Sequence, residues 1–375
     1  MQELRDKRTE TPEAEDESYY VASQWQLMGR KFRQHKLAIA GLVVIALFYL
    51  VAIFAEFVAP YQSLTRHPQY IYCQPQRIRF IHEGRLHLRP FVYGFQRSRD
   101  PDTLRSVYTL DKSERYPIRL FVRGDSYKFW GLWETDLHLF GVGEEGVMFL
   151  FGTDLMGRDL FSQNIYGARI SLSIGLVGVA VSFVLGCIIG GISGYYGGVV
   201  DAVIQRIIEF LLAIPTIPLW MALSAALPAD WSYIRVYFFI TIILAIRGWA
   251  YLARIVRGKF LELREEDFVM AARACGATSG MVIGRHLIPS FLSYLIVSLT
   301  LSIPRMILGE TALSFLGLGL RPPIISWGVL LQEAQNIRTV ALYPWLLIPS
   351  VFVIVAVLAF NFLGDGLRDA ADPYK

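Results

Sequence analysis

Residues 37–59 form an almost unbroken apolar run, long enough as a helix to cross the roughly 30 Å hydrocarbon core of a bilayer. The run ends at Glu56 and Pro60. It starts too late, is too long and lacks the small-residue site of a cleaved signal peptide, so it reads as an uncleaved span. Similar runs lie near 170–195, 236–253, 289–308 and 342–363. A weaker one, 209–227, contains Pro215 and Pro218 and reads as a kinked span, since neighbours in a membrane can satisfy the freed carbonyls. Composition agrees. Apolar residues make up 54% and charged residues 18%, where a soluble chain carries about 25% charge. Disorder, collagen and coiled coil are excluded for the whole chain. The fold expected is an all-α polytopic membrane protein with six spans.

Lysines and arginines set the orientation. Arg30, Lys31, Arg33 and Lys36 precede the first span, which places that side in the cytoplasm. Residues 254–286 hold six Lys/Arg, residues 227–234 hold none and residues 309–338 hold two. Six spans then leave both termini cytoplasmic. Cys73 should lie outside, Cys187 in the membrane and Cys275 inside.

Residues 60–150 break the apolar pattern, with thirteen Lys/Arg against ten Asp/Glu, a net of +3. Long loops translocate largely regardless of charge, so the segment is expected outside. Runs 77–82 and 85–92 flank Glu83-Gly84, and runs 118–123 and 126–130 flank Gly124-Asp125. Alternation around a Gly turn predicts two hairpins in a β-rich insert. Before the first span, Ser23 can cap a short helix carrying Trp25, Met28 and Phe32 among basic residues, either an interfacial helix or an ordinary membrane-proximal tail. Residues 1–20 are of mixed charge and read as disordered.

Several chemistries find no motif. There is no GxxxxGK[ST] loop to cradle a triphosphate; Gly258-Lys259 lacks the upstream glycine and the following Ser/Thr. The three cysteines form no CxxC, and His82-Glu83 with His87 is one residue too long for HExxH, so no metal or other cofactor is implied. A net charge of +4 without a basic stripe gives no case for nucleic acid. Gly191-Ile192-Ser193-Gly194 matches the GxSG of intramembrane serine hydrolases, a competing reading in which Ser193 is the nucleophile. That chemistry needs a histidine base, and none of His35, His67, His82, His87, His138 or His286 lies in a predicted span. A self-sufficient secondary transporter is the third reading, but no internal repeat supports it.

Charged residues in or beside spans are functional candidates because lipid penalises them. They are Glu209, Arg247, Arg305, Glu310 and Asp365, most of them near predicted span ends. Arg305 and Glu310, five apart beside the outer end of the fifth span, are candidates for a gate or substrate path.

The loop between the fourth and fifth spans is the most informative. Glu265, Glu266 and Asp267 suit a helix start. Phe268, Ala271, Ala272 and Cys275 then fall at i, i+3, i+4 and i+7, one apolar stripe. Gly276 is a natural C-cap, Thr278 can start a second short helix, and Pro289 can open the next span. The stripe either receives a partner or packs under the protein's own spans; the residue pattern leaves both open.

Met270-Ala271-Ala272, then Gly276 and Pro289, resembles the EAA loop of ABC importer permeases (EAA-x3-G-x9-I-x-L-P), departing at Met270, His286 and Ile288. More of the chain is similar. FGTDLMGRD (151–159), YGARISL (166–172), ETALSFLGLG (310–319), the Pro322-Pro323 pair, SWG (326–328) and FNFLGDGLRDAADP (360–373) resemble the second, C-type permease of dipeptide/oligopeptide/nickel importers. The likeness is close over 150–375, loose over 25–60 and absent from 61–149.

The resemblance implies a type I importer permease with a cytoplasmic tail (1–36), a first helix (37–59), an extracytoplasmic insert (60–150) and a core (151–375). It implies no catalysis by this chain. A sister permease would complete the pathway, two ATP-binding cassette subunits would drive it, and an extracytoplasmic binding protein would deliver substrate. The place would be the cell inner membrane. Peptides are the first substrate expected, oligosaccharides or metal chelates the alternative. The coupling loop (254–288) would carry Asp267, Met270, Ala271, Ala272, Gly276 and His286, with Pro289 directly after it.

Overall fold

The computed structural model describes residues 24–102, 105–143, 146–228 and 230–371, with side chains from residue 26. The Ser23 cap, residues 1–20, the Trp25 side chain and the last two residues of the 360–373 motif lie outside that set. Helix α1 (Gln24–Gln34) carries Lys31 and Arg33 in its last turn. His35 then caps α2 (Lys36–Ile53), its ring nitrogen accepting the Ala38 N–H at 3.1 Å. The first span is therefore shorter than expected: the helix breaks at Phe54 and a single turn, α3 (Ala55–Val58), follows.

The insert is β-rich. Strands β1 (Arg79–His82), β2 (Arg85–Arg99) and β3 (Ser106–Pro117) form one antiparallel sheet, and β4 (Arg119–Phe129) pairs with β5 (Trp133–Gly141). The expected hairpin around Glu83-Gly84 is present, with Glu83 and Gly84 both at positive φ. The one expected around Gly124-Asp125 is not. Both flanking runs belong to the single strand β4, which shifts register between Arg123 and Tyr127. Gly124 serves close approach rather than a turn, since a Cβ there would lie 3.0 Å from the His138 ring. The chain turns later, at Trp130 and Gly131.

Asp159 starts the longest helix. Its carboxylate accepts the Ser162 N–H at 2.8 Å and the Ser162 hydroxyl at 2.7 Å, the interaction that satisfies an orphan donor at a helix N-terminus. From there α4 runs Leu160–Tyr196, ten residues earlier than the apolar pattern indicated. The kinked span is two helices, α5 (Gly198–Ala213) and α6 (Thr216–Ala225), meeting at 89°. Pro215 cannot donate to the ladder, and Ile214 before it is pushed to extended geometry. Helix α7 (Tyr233–Leu263) extends ten residues past the expected Ala253. Then come α8 (Asp267–Ala274), short turns over 279–290, α9 (Leu292–Phe315), α10 (Trp327–Leu331), α11 (Ile337–Leu342) and α12 (Ile348–Ala371). Pro289 sits in a separate turn ended at Phe291, so the fifth span starts later than expected. Among the described residues five helical segments are long and apolar enough to span, and the bent pair is a sixth candidate.

Small residues decide which helices touch. Along α4, a Cβ added at Gly186, Gly190 or Gly194 would collide with Leu252, Ala253 or Phe260 of α7. The two helices thus meet backbone to backbone, as small-residue seams allow in membranes. Both numbers rise together along the seam, so α4 and α7 are parallel. Helix α9 runs antiparallel to α4, with Gly175 against Ile307 and Ser171 against Glu310. Helix α2 runs antiparallel to α12, with Gly41 against Ala359 and Ala38 against Gly366. The core follows these seams, around Leu172, Ile307, Trp327 and Phe360 on one side and Ile174, Ile240, Leu244 and Leu313 on the other.

Candidate functional site

Two places gather the candidate residues: the segment after α7 and a cavity beside the α5–α6 break.

In the first, α8 ends in a Schellman motif. Gly276 has φ +83°, its N–H bonds Arg273 O at 2.9 Å, and the Ala277 N–H bonds Ala272 O at 3.0 Å. The Thr278 hydroxyl accepts the Met281 N–H at 3.4 Å and starts the next turn. The side of α8 that packs inward is carried by Val269, fully buried with Phe260, Val282, Leu287 and Phe291. The sequence pattern did not single out Val269. Of the expected stripe only Ala272 is half-buried; Phe268, Ala271 and Cys275 are exposed, as are Asp267 and Met270. His286 is half-buried and Pro289 exposed. Arg273 lies 5.0 Å over the Tyr195 ring, joining α8 to the end of α4.

The charges expected in the loop from residue 254 partly belong to α7. Arg257 pairs two-pronged with Asp201 at 2.5 and 2.6 Å, and Asp201 also accepts the Ser193 hydroxyl at 2.5 Å. This knot fastens the start of α5 to α4 and α7. It occupies Ser193, whose oxygen also accepts from Gln205 at 3.0 Å. Asp201 and Arg257 were missed as a pair because each reads alone as ordinary helix-end charge. Far away in the insert, His82 bonds the Tyr93 hydroxyl at 2.8 Å. Among the described residues no group of three His, Cys, Asp or Glu is placed to hold a metal.

The cavity has a volume of about 280 Å³ and is lined by Trp220, Arg247, Tyr251, Ser298, Ser302 and Arg305 among others. Both arginines are mid-helix: Arg247 is residue 15 of 31 in α7 and Arg305 residue 14 of 24 in α9. The sequence pattern put such charges at span ends because it ended both helices too early. Arg247 donates to Ile214 O at 2.6 Å, a carbonyl the break leaves without a helical partner. Arg305 is exposed, and no acidic residue of this chain lies within ion-pair distance among the described residues.

Glu310 does not share that cavity. It is fully buried and accepts three hydroxyls, from Ser171 at 3.1 Å, Ser314 at 2.8 Å and Ser326 at 2.6 Å. Trp327 N–H then donates to Ser171 Oγ at 3.1 Å. Glu310 thereby ties α9 to α4 and to the start of α10. At the end of α4 that carries Asp159, Asp154 accepts from Met156 N, Arg158 N, Arg158 Nε and Gln163 Nε2 within 3.1 Å. Burial and the nearby Asp154 carboxylate push Glu333 up to about 7, against the opposing pull of the Leu155 N–H and Arg158.

Long apolar helices around a largely apolar cavity that carries two mid-helix arginines are the arrangement of a multi-pass membrane permease. The comparisons give the family. The profile of the binding-protein-dependent transport system inner membrane component matches residues 182–374. That of the N-terminal TM domain of oligopeptide transport permease C matches residues 23–75. The dipeptide transport system permease protein DppC of Alkalihalophilus pseudofirmus is 32% identical over 364 residues, 97% of this chain and 94% of its own. The oligopeptide transport system permease protein OppC of Haemophilus influenzae is 43% identical over 230 residues, 61% of this chain and 71% of its own. DppC of Bacillus subtilis is 39% identical over 225 residues, 60% and 68%. The chain belongs to the binding-protein-dependent transport permeases, in the permease C group of ABC importers.

Proposed function

We propose that this permease forms half of a translocation pathway for dipeptides or oligopeptides. A sister permease supplies the other half, two separate ATPase subunits drive it, and a binding protein delivers substrate from outside. The names of the relatives support peptides as the cargo. The observation that carries the coupled mechanism is the exposure of Phe268, Ala271 and Cys275 on α8. A stripe that served only the protein's own packing would be covered by it; here Val269 does that work and the stripe is left for a partner. ATP-driven closure of the ATPases would push on α8 and, through Val269 and the Arg273–Tyr195 contact, move α4 and α7 together.

Six crossings fit this reading. Because α4 and α7 are parallel, the chain between them must return from one end to the other, and among the described residues α5 with α6 is the segment that can do so. Both termini then lie on the Lys36 side with α8, and the insert of residues 60–150 lies on the other. Arg305 is read as lining the pathway: an arginine at mid-span is costly unless it faces polar space or a partner. Glu310 is read as a fixed anchor beside the pathway, holding the helices that shape it.

The test is ATP-dependent uptake of labelled di- and oligopeptides by proteoliposomes containing the permease with its co-expressed partners. Peptide accumulation is expected. Uptake of an oligosaccharide or metal chelate with no peptide uptake would replace the substrate, and ATPase activity of the isolated permease would overturn the division of labour.

A further inference from the structure

The β4–β5 hairpin ends in residues 129–133, Phe-Trp-Gly-Leu-Trp, a tip with no charge between Lys128 and Glu134. Hairpin tips that face water are built from polar turn residues, and left-handed turn positions favour Gly, Asn or Asp. Here Trp130 holds φ +49° beside Gly131 at φ +74°. The tip is nonetheless outward: Trp130 is 53% exposed, Leu132 72% and Trp133 67%.

Its position is fixed by the first span. The Trp130 indole N–H donates to Ile53 O at 3.0 Å, and Phe129 stacks on Phe54 at 5.9 Å. Arg169 of α4, itself paired with Glu56, lies 4.6 Å over the Trp130 ring. Phe129 and Trp133 are opposed across the ladder and so share a face. That face looks toward the end of α2. Eighteen helical residues starting at Lys36 reach about 27 Å, so Ile53 lies near the far edge of the hydrocarbon layer. Along α2 the exposed surface is apolar: Val43, Leu47, Leu50 and Ile53. Through the Trp130–Ile53 bond and the Phe129–Phe54 stack, the exposed tip sits beside the end of that apolar surface.

We propose that this tip is a membrane anchor of the insert, seated in the lipid headgroup layer opposite the Lys36 side. Tryptophan favours that layer, where its ring meets acyl chain and its N–H a polar partner. Lys128 sits at the rim, in reach of lipid phosphates. The anchor clamps one sheet of the insert to the bilayer beside the first span, while the three-stranded sheet stays in water. The proposal rests on α2 being a span, but not on the side to which the insert projects.

A nitroxide label reads this directly. Cys73 and Cys187 are buried and Cys275 is exposed, so a C275S background leaves one engineered site for each of L132C, L47C and K112C. Each full-length variant is placed in lipid nanodiscs and its collisions with oxygen and with a water-soluble nickel chelate are compared. Leu47 should favour oxygen and Lys112 the chelate, both severalfold, and Leu132 should fall between them, clearly shifted from Lys112 toward oxygen. If Leu132 instead follows Lys112, the tip is in water and the anchor is refuted with the span intact. If Leu132 is shielded from both, another protein surface covers the tip and the lipid assignment is likewise overturned. If Leu47 itself favours the chelate, the span reading falls, and the anchor with it.

Discussion

Gly190 and Ala253 meet backbone to backbone: a Cβ on Gly190 would lie 2.4 Å from the Ala253 carbonyl oxygen. No side chain fits between the parallel helices α4 and α7 at that point. Gly190→Leu is therefore expected to lower stability by ~1–3 kcal/mol or more. The checks are thermal unfolding in detergent and the yield of monodisperse permease. Gly258, also helical, has nothing within 4 Å of its added Cβ. Gly258→Ala should be neutral or gain up to about 1 kcal/mol from helix propensity. Equal losses for both would remove the seam from the account.

On the proposed reading Arg305 lines the pathway and Glu310 belongs to the scaffold. Arg305→Gln removes a cavity charge that has no acidic partner among the described residues, so folded yield should hold while peptide uptake falls severalfold. Glu310→Ala leaves three buried serine hydroxyls without their acceptor, at ~1–3 kcal/mol or more. Yield and melting temperature should fall before transport can be judged. Side-by-side uptake and unfolding measurements decide, and the reverse pattern would exchange the two roles.

Glu333 gives a pH dependence. Its folded pKa of about 7 stands above the ordinary carboxylate value of 4.5. The folded state thus holds the proton more tightly than the unfolded chain. This contribution is intact below about pH 4.5, declines as pH rises, and is fully lost above about pH 7. Glu333→Gln should flatten that slope, raising the melting temperature more at pH 8 than at pH 5. An equal shift at both values would deny the buried, proton-holding environment.

Orientation can be read with an impermeant maleimide on intact spheroplasts. Cys73, expected from the sequence to report the outside, is fully buried and unsuited to it. Lys112→Cys, exposed on β3, should label without permeabilisation, and Cys275 only after it. Labelling of Cys275 in intact cells would put α8 on the wrong face.

The spans were legible because apolar runs of this length have few other uses. Their ends were not. Asp159 extends α4 through a side-chain cap, and Arg257 stays helical because Asp201 receives it; neither is an apolar signal. Gly276 was legible as a C-cap because a left-handed residue after a helix favours glycine. The Gly124 turn was misread because glycine serves close approach and bulges as well as turns, and only the packing of His138 separates the uses. The cavity was illegible. It needs Pro215 to break the helix, Arg247 to take the Ile214 carbonyl, and Arg305 to arrive from a helix far along the chain. Val269 was hidden inside a stripe drawn from its neighbours.

On the proposed reading α8 receives the ATPase. Ala271→Trp tests it most directly, because Ala271 is exposed and the burial of Val269 is untouched. Membrane abundance, co-purification of the ATPase subunits and peptide uptake are measured in the same strain. The account predicts normal abundance, reduced ATPase recovery and loss of uptake. Normal abundance with normal ATPase recovery and normal uptake would contradict it.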